Sequence, residues 1–368
     1  MQDLPVLALA IATATGAFAT GAIAQDGGGA AISTGLGYSS QRGALAFVAL
    51  DGRDIMGSGI DLHFGYEAGD ADEVIDLSLR KTWQLGDTGL GRDSYVAFSL
   101  GGESTDIEAQ QFALKQLSVD LTLGAKLAGS TTYSVSLFHL DDDLDASGLN
   151  VSPLIVAESG QTSATGVAVN LGYSTYDFDN LPQSGVRLAG TVAASFAGDR
   201  DWVSAALDAG VAQPIGRATL ALRAEAGMIQ GRGGQSVSIL DRAFLGGDMP
   251  RGFAFAGLGP RDVTAGGVDS ALGGNRYMSA SVELRAPTGW QNVTLGAFVD
   301  AGSVWELDVT TGGASGVIDD AYRLRSSAGL AVYWKTGIGI VQMNLATPLQ
   351  SESYDKEEVF SVALSSSF

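Results

Sequence analysis

From about residue 30 onward the chain falls into segments of eight to twelve residues in which apolar side chains recur at every second position, separated by clusters of Gly, Asp, Asn and Ser. That period belongs to β-strands. In "RYMSASVELRA" (276–286), Met278, Ala280, Val282, Leu284 and Ala286 share one face, while Tyr277, Ser279, Ser281, Glu283 and Arg285 share the other. The split recurs at 323–334, where Leu324, Ala328, Leu330, Val332 and Trp334 oppose Arg323, Arg325, Ser327, Gly329 and Tyr333, and again at 117–127. A soluble sandwich and a barrel in lipid both fit such alternation, and the period alone does not separate them.

The number of segments and the end of the chain do. The pattern predicts strands near 32–40, 44–50, 59–67, 74–83, 94–102, 117–127, 131–139, 165–176, 186–196, 202–214, 218–229, 276–286, 293–301, 323–334, 338–347 and 359–368. About sixteen strands, an even number, and a final "VFSVALSSSF" closing on an aromatic residue point to an all-β, transmembrane antiparallel β-barrel. Short turns at Gly198-Asp199-Arg200 and Gly216-Arg217 contrast with long runs at 140–164, 230–275 and 302–322, an asymmetry expected between the two sides of a membrane.

Composition sharpens this picture. The 368 residues are 45% hydrophobic and only 17% charged, with 51 glycines, no cysteine and a formal net charge of -20. The acidic balance argues against nucleic acid as a partner, and the missing cysteines leave no disulfide framework. Residues 1–24 are apolar and end in Ala22-Ile23-Ala24, the small-x-small pattern of a signal peptide cleavage site, although Asp3 stands where basic residues are usual. We therefore expect an exported protein: 1–24 a cleaved signal peptide, 25–31 a short periplasmic segment, and 32–368 the barrel, placed in the bacterial outer membrane among its lipids.

Catalysis has no visible residues. His63 and His139 stand outside any metal-ligand spacing, and no G-x-S-x-G, Walker A or H-E-x-x-H sequence occurs, so neither enzyme activity, cofactor nor metal is expected. The acidic run "HLDDDLDASG" (139–148) could attract calcium through Asp141, Asp143 and Asp145, but it lacks the glycine and distal glutamate of an EF-hand and reads better as a solvated loop. Trp83, Trp202, Trp290, Trp305 and Trp334 fall near strand ends, where headgroup-level girdles are expected.

One long connection carries "GGDMPRGF" (246–253), an arginine set among glycines, a proline and an aromatic residue. Together with "TGLGYSSQRGALAFVALDGRDIMGSG" (34–59), "YDFDNLPQSGVRL" (176–188), "SVELRAP" (281–287), "FVDAGSVW" (298–305) and "LRSSAGLAVYWKTGIGIVQMNLATPL" (324–349), it forms an ordered series. In that series the chain resembles the membrane barrel of the BamA/TamA-like insertases and two-partner-secretion translocators. The resemblance implies that Gly246, Gly247, Arg251, Gly252 and Phe253 belong to a loop folded back into the lumen. Arg251 would be its anchor, with Glu283 and Asp300 as partners on the inward faces of the next two strands. A buried guanidinium needs such carboxylates to offset its desolvation. The plainer reading is a purely structural contact. One departure is Pro250, where the family usually has an aliphatic residue.

The same resemblance implies a protein that helps insert or translocate other proteins, through a lumen gated by the Arg-Gly-Phe loop and a weak seam between first and last strands. Its partners would be client proteins, or a chain supplying the periplasmic domains that the family usually carries and that this sequence has no room for. The alternative is a passive or structural channel on the same barrel, without protein clients.

Overall fold

A computed structural model describes residues 18–23, 30–39, 43–70, 72–83, 92–107, 112–127, 129–148, 150–177, 181–336 and 339–365. Sixteen strands form the wall. They are β1 (Ala30–Ser39), β2 (Gly43–Gly52), β3 (Ile60–Gly69), β4 (Asp72–Trp83), β5 (Arg92–Ile107), β6 (Phe112–Lys126), β7 (Thr131–Asp145) and β8 (Gly160–Ser174). The second half comprises β9 (Gly185–Gly198), β10 (Trp202–Ile215), β11 (Ala218–Gly231), β12 (Arg276–Pro287), β13 (Val293–Trp305), β14 (Arg325–Thr336), β15 (Gly339–Gln350) and β16 (Phe360–Ser365). Each pairs antiparallel with the next in sequence, and the sheet order sets β16 beside β1.

The alternation decides which side faces what. Leu188, Leu207, Leu284, Leu330 and Leu345 are exposed on the outer surface, whereas Ser281, Glu283, Asp300, Ser327 and Asn344 are buried on the inner one. A one-residue slip would place those carboxylates in hydrocarbon, so the register is strongly fixed.

Several strands outrun the sequence expectation. β5 has 16 residues and β6, β7 and β8 have 15 each, roughly 50 Å along the strand against an apolar band about 25 Å tall. The surplus carries polar residues, and this corrects the reading of 139–148. Asp141, Asp142 and Asp143 lie on β7, paired with Ser163, Thr162 and Gln161 of β8. Alternation buries Asp142 and leaves Asp141, Asp143 and Asp145 exposed on the opposite face. Among the described residues no group of His, Cys, Asp and Glu is arranged to hold a metal ion.

The long connections 146–159, 232–275, 306–324 and 351–359 all emerge at one end, as does the short turn 199–201, which therefore does not mark the opposite side. Together they build a roof with its own apolar core, including Phe112, Leu144, Ile155, Ile239, Phe244 and Leu272. Its polar centre is Asp262. This fully buried carboxylate accepts hydrogen bonds from Ser152 Oγ (2.6 Å), Ala314 N (2.7 Å) and Ser315 N (2.8 Å), joining three connections. Burial alone would raise its pKa, but those donors hold it below the ordinary carboxylate value.

Three expectations need further correction or placement. Trp202 is not in a girdle: it is 3% exposed and stacks on Phe138 at 5.9 Å inside the barrel. The first strand begins at Ala30, inside the expected 25–31 link. A further strand, Phe18–Ile23, within the expected signal peptide, lies antiparallel against β1, Phe18 opposite Gly37 and Ile23 opposite Ile32. Residues 1–17, 24–29 and 366–368 of the expected signal peptide, link and last strand lie outside the described residues.

Candidate functional site

The connection 232–275 runs from β11 to β12 and turns into the lumen at residues 246–253. Gly246 (φ +116°) and Gly247 (φ +79°) make the turn, and the Gly247 amide donates to the Phe253 carbonyl at 2.7 Å. A side chain at 246 would run into the Ala254 carbonyl, so the turn depends on glycine both for its dihedral and for its space. The Met249–Pro250 peptide is cis, and Pro250 seats against β13 at Gly302, where a Cβ would stand 2.8 Å from the proline Cγ.

Arg251 follows, and the wall receives it. Its Nε donates to Asp300 Oδ2 at 2.8 Å and its Nη2 to Asp300 Oδ1 at 2.9 Å, a bidentate fork. Its backbone N–H adds a third bond to Asp300 Oδ2 at 3.0 Å. Nη2 also donates to Ser281 Oγ at 3.0 Å, and the Ser281 hydroxyl donates to Asp300 Oδ1 at 2.6 Å. The guanidinium lies over the Phe298 ring, 3.4 Å from its centroid. Ser327 on β14 donates its hydroxyl to the Arg251 carbonyl. Two neighbouring strands thus supply the groups that hold the side chain, and a third holds its backbone.

Asp300 and Glu283 are not equivalent partners. Glu283 Oε2 stands 3.6 Å from Arg251 Nη1, an ion pair without a hydrogen bond, and Oε1 accepts from Tyr333 Oη at 2.7 Å. Glu283 also faces Arg285 Nε at 3.4 Å. Of the two expected carboxylate partners, Asp300 forms the fork and Glu283 stands as an outer carboxylate. The cause is register: Ser281 lies directly across from Asp300, while Glu283 lies two residues further along β12, opposite Phe298.

Phe253 points away from this pocket. It is fully buried against Ala243, Leu245, Leu258 and Val304, so the last residue of the motif belongs to the roof rather than to the wall. Gly252 between them has φ +90°, and a Cβ there would come within 3.1 Å of Ala346 Cβ and 3.3 Å of Ser327 Cβ.

Two features escaped the sequence reading. The connection between β8 and β9 reaches the same region from the opposite end: Arg285 Nη1 donates to the Pro182 carbonyl at 3.3 Å, and Leu181 packs on Phe298, Ala331, Tyr333 and Ala346. The second is a buried ion triad beneath the roof. Arg200 pairs with Asp142 and, at 2.8 Å, with Asp241. Burial pushes the Asp241 carboxyl up to about 6, although Arg200 draws it back. Neither could be read from spacing, since Asp142 and Asp241 meet Arg200 only through the closed wall.

A model of the Omp85 superfamily domain matches residues 54–368. The chain belongs to the Omp85 superfamily. It is 32% identical over 154 residues to the outer membrane protein assembly factor BamA of Neorickettsia risticii, a match covering 41% of this chain and 20% of that relative. The chain thus spans about a fifth of the length of that relative. Among solved structures, BamA from Haemophilus ducreyi lacking POTRA domains 1–3 is similar in fold, with a TM-score of 0.80 at 19% identity, covering 96% of this chain and 75% of the other. CdiB from Escherichia coli shares the architecture more loosely, at a TM-score of 0.55 and 12% identity over 93% of this chain and 63% of the other. This Omp85 barrel therefore keeps its Arg-Gly-Phe segment inside the lumen, forked to a wall carboxylate.

Proposed function

We propose that this Omp85 chain works in the bacterial outer membrane as the barrel of a protein insertion or translocation machine. Its lumen is closed by the 246–253 lid and its client path lies at the seam between β1 and β16. The observation that carries the reading is the Arg251–Asp300 fork: this Omp85 barrel attaches its internal lid to the wall through side-chain contacts centred on one carboxylate, an attachment suited to opening rather than to permanent closure. The relative from Neorickettsia risticii is an assembly factor for outer-membrane proteins, which supports clients of the same kind here.

Chemistry at the seam supplies the mechanism. If β16 parts from its neighbour at the seam, it offers a row of unpaired N–H and C=O groups, and an incoming β-strand pairs with such an edge through main-chain bonds that do not depend on its sequence. β1 already accepts a strand on an edge, that of Phe18–Ile23.

The test is depletion of the protein followed by quantification of the outer-membrane and secreted proteome. A selective loss of β-barrel or secreted clients is the expected result. An unchanged proteome with altered solute permeability would overturn this reading in favour of a passive channel.

A further inference from the structure

On its roof side the lid is held by a short ladder that pairs Phe253 with Glu357. Beneath it stands a second segment, which comes from the other end of the barrel. The connection 175–184 leaves β8 at the end opposite the roof and turns inward instead of following the rim. It begins against β10: a Cβ at Gly210, on the inner face of that strand, would run into the Tyr176 hydroxyl. It then reaches along the inner wall to β12, where Arg285 Nη1 donates to the Pro182 carbonyl at 3.3 Å. Leu181 packs against the cluster of Phe298, Ala331, Tyr333 and Ala346 on β13, β14 and β15, and Pro182 is buried.

The connection is braced from within. Asp177 Oδ1 accepts from the amides of Gln183 at 2.9 Å and Ser184 at 3.1 Å, and the Thr175 amide donates to the Val186 carbonyl at 2.8 Å. Gly185 (φ +114°) closes the base, where a Cβ would meet the Thr175 carbonyl. Such a carboxylate-capped turn lets a short connection stand off the rim and keep its reach into the lumen. The two inward segments also share one sector of wall. Arg251 is held by Ser281, Asp300 and Ser327 of β12, β13 and β14, and Leu181 and Pro182 sit lower, at Tyr333 and Arg285. Along β12 a single inward position, Glu283, separates the two seats. A passage that opens when the lid leaves this wall therefore runs onto the connection 175–184.

We propose that the connection 175–184 is a second closure of the lumen, a floor in series with the lid, so that lifting Arg251 from Asp300 opens one barrier and leaves the other in place. The floor offers the wall only an apolar side chain, Leu181, and a backbone carbonyl, that of Pro182. Its seat is thus lighter than the charged fork that holds the lid, and it is reached from the end opposite the roof. Each end of the lumen then has its own gate. The inference rests on the proposed function only for the mobility of the lid, and it holds whether a polypeptide or a solute passes.

The experiment is single-channel recording of the full-length protein in planar bilayers, with the two closures released separately and together. Arg251→Ala releases the lid, and Leu181→Ser with Gly185→Ala unseats the floor. Each release alone is expected to leave conductance near that of the parent, and the combination to raise it severalfold, because a constriction left in series still limits the current. If Arg251→Ala alone conducts as well as the combined variant, the floor is overturned and the lid survives. If the floor variant alone does so, the lid closes nothing and the series arrangement is overturned. A combined variant that stays at the parent's conductance overturns both closures. Only variants that keep the parent's heat-resistant migration on gels are recorded. Where Gly185→Ala loses it, Leu181→Ser serves alone, with Leu181→Met, which keeps the apolar contact, expected to restore the low conductance in the Arg251→Ala background. Where Arg251→Ala loses it, Arg251→Lys, which keeps the charge and loses the fork, takes its place.

Discussion

The carboxylate of Asp300 binds both the backbone and the side chain of Arg251, a residue 49 positions away in sequence, through the amide at 3.0 Å, Nε at 2.8 Å and Nη2 at 2.9 Å. Both side chains are almost wholly removed from water. Removing one partner strands the other as a buried charge, so Asp300→Ala should cost about 3–5 kcal/mol. The check is the thermal unfolding midpoint of the purified barrel, and a shift no larger than that of Ser281→Ala would show that the fork carries no such weight.

Glu283 stands further off, and its substitution should be milder. Glu283→Gln and Tyr333→Phe should each cost on the order of 1 kcal/mol. Because the two groups share one hydrogen bond, the double variant should cost less than the sum of the singles. Strict additivity in that cycle would mean the 2.7 Å contact contributes nothing.

Gly252 combines a left-handed backbone with close neighbours on β14 and β15. Gly252→Ala is expected to destabilise by roughly 2–3 kcal/mol. Gly289→Ala, with nothing within 4 Å of the added carbon, should be nearly neutral. Equal effects of the two on stability would contradict the close approach.

The Asp241 carboxyl, pushed up to about 6 by burial, makes a pH prediction. Its folded value lies above the ordinary unfolded one near 3.9. The folded state therefore binds a proton that the unfolded state releases, and stability from this group is gained as pH falls through about 6 towards 4 and lost as pH rises. The full effect is on the order of 2–3 kcal/mol, and Asp241→Asn should flatten it. Exchange rates of amides in 237–246 measured at pH 5 and pH 7.5 would report it, and an unaltered pH dependence in the variant would exclude this carboxyl as the source.

Much of the wall was legible because period-two alternation is imposed directly by lipid on one side and the lumen on the other. It failed where that pressure stops. Past the hydrocarbon, β7 keeps its hydrogen bonds while its residues turn acidic, so the run through Asp145 reads as a loop although it is a strand. Trp202 misled for a related reason: its position near a strand end is right, but its face is inward. The lid and Asp300 were legible through the family resemblance carried by "GGDMPRGF" and "FVDAGSVW". The difference in rank between Asp300 and Glu283 was not, because both face the lumen and only the stagger of β12 against β13 separates them. The Arg200 triad and the ladder between Phe253 and Glu357 join residues scattered along the chain, for which single-sequence patterning has no signal.

Asp262, set between three connections, gives the roof an all-or-none character. None of those segments can swing aside alone, because its departure would leave a dehydrated anion without its donors and expose the others in turn.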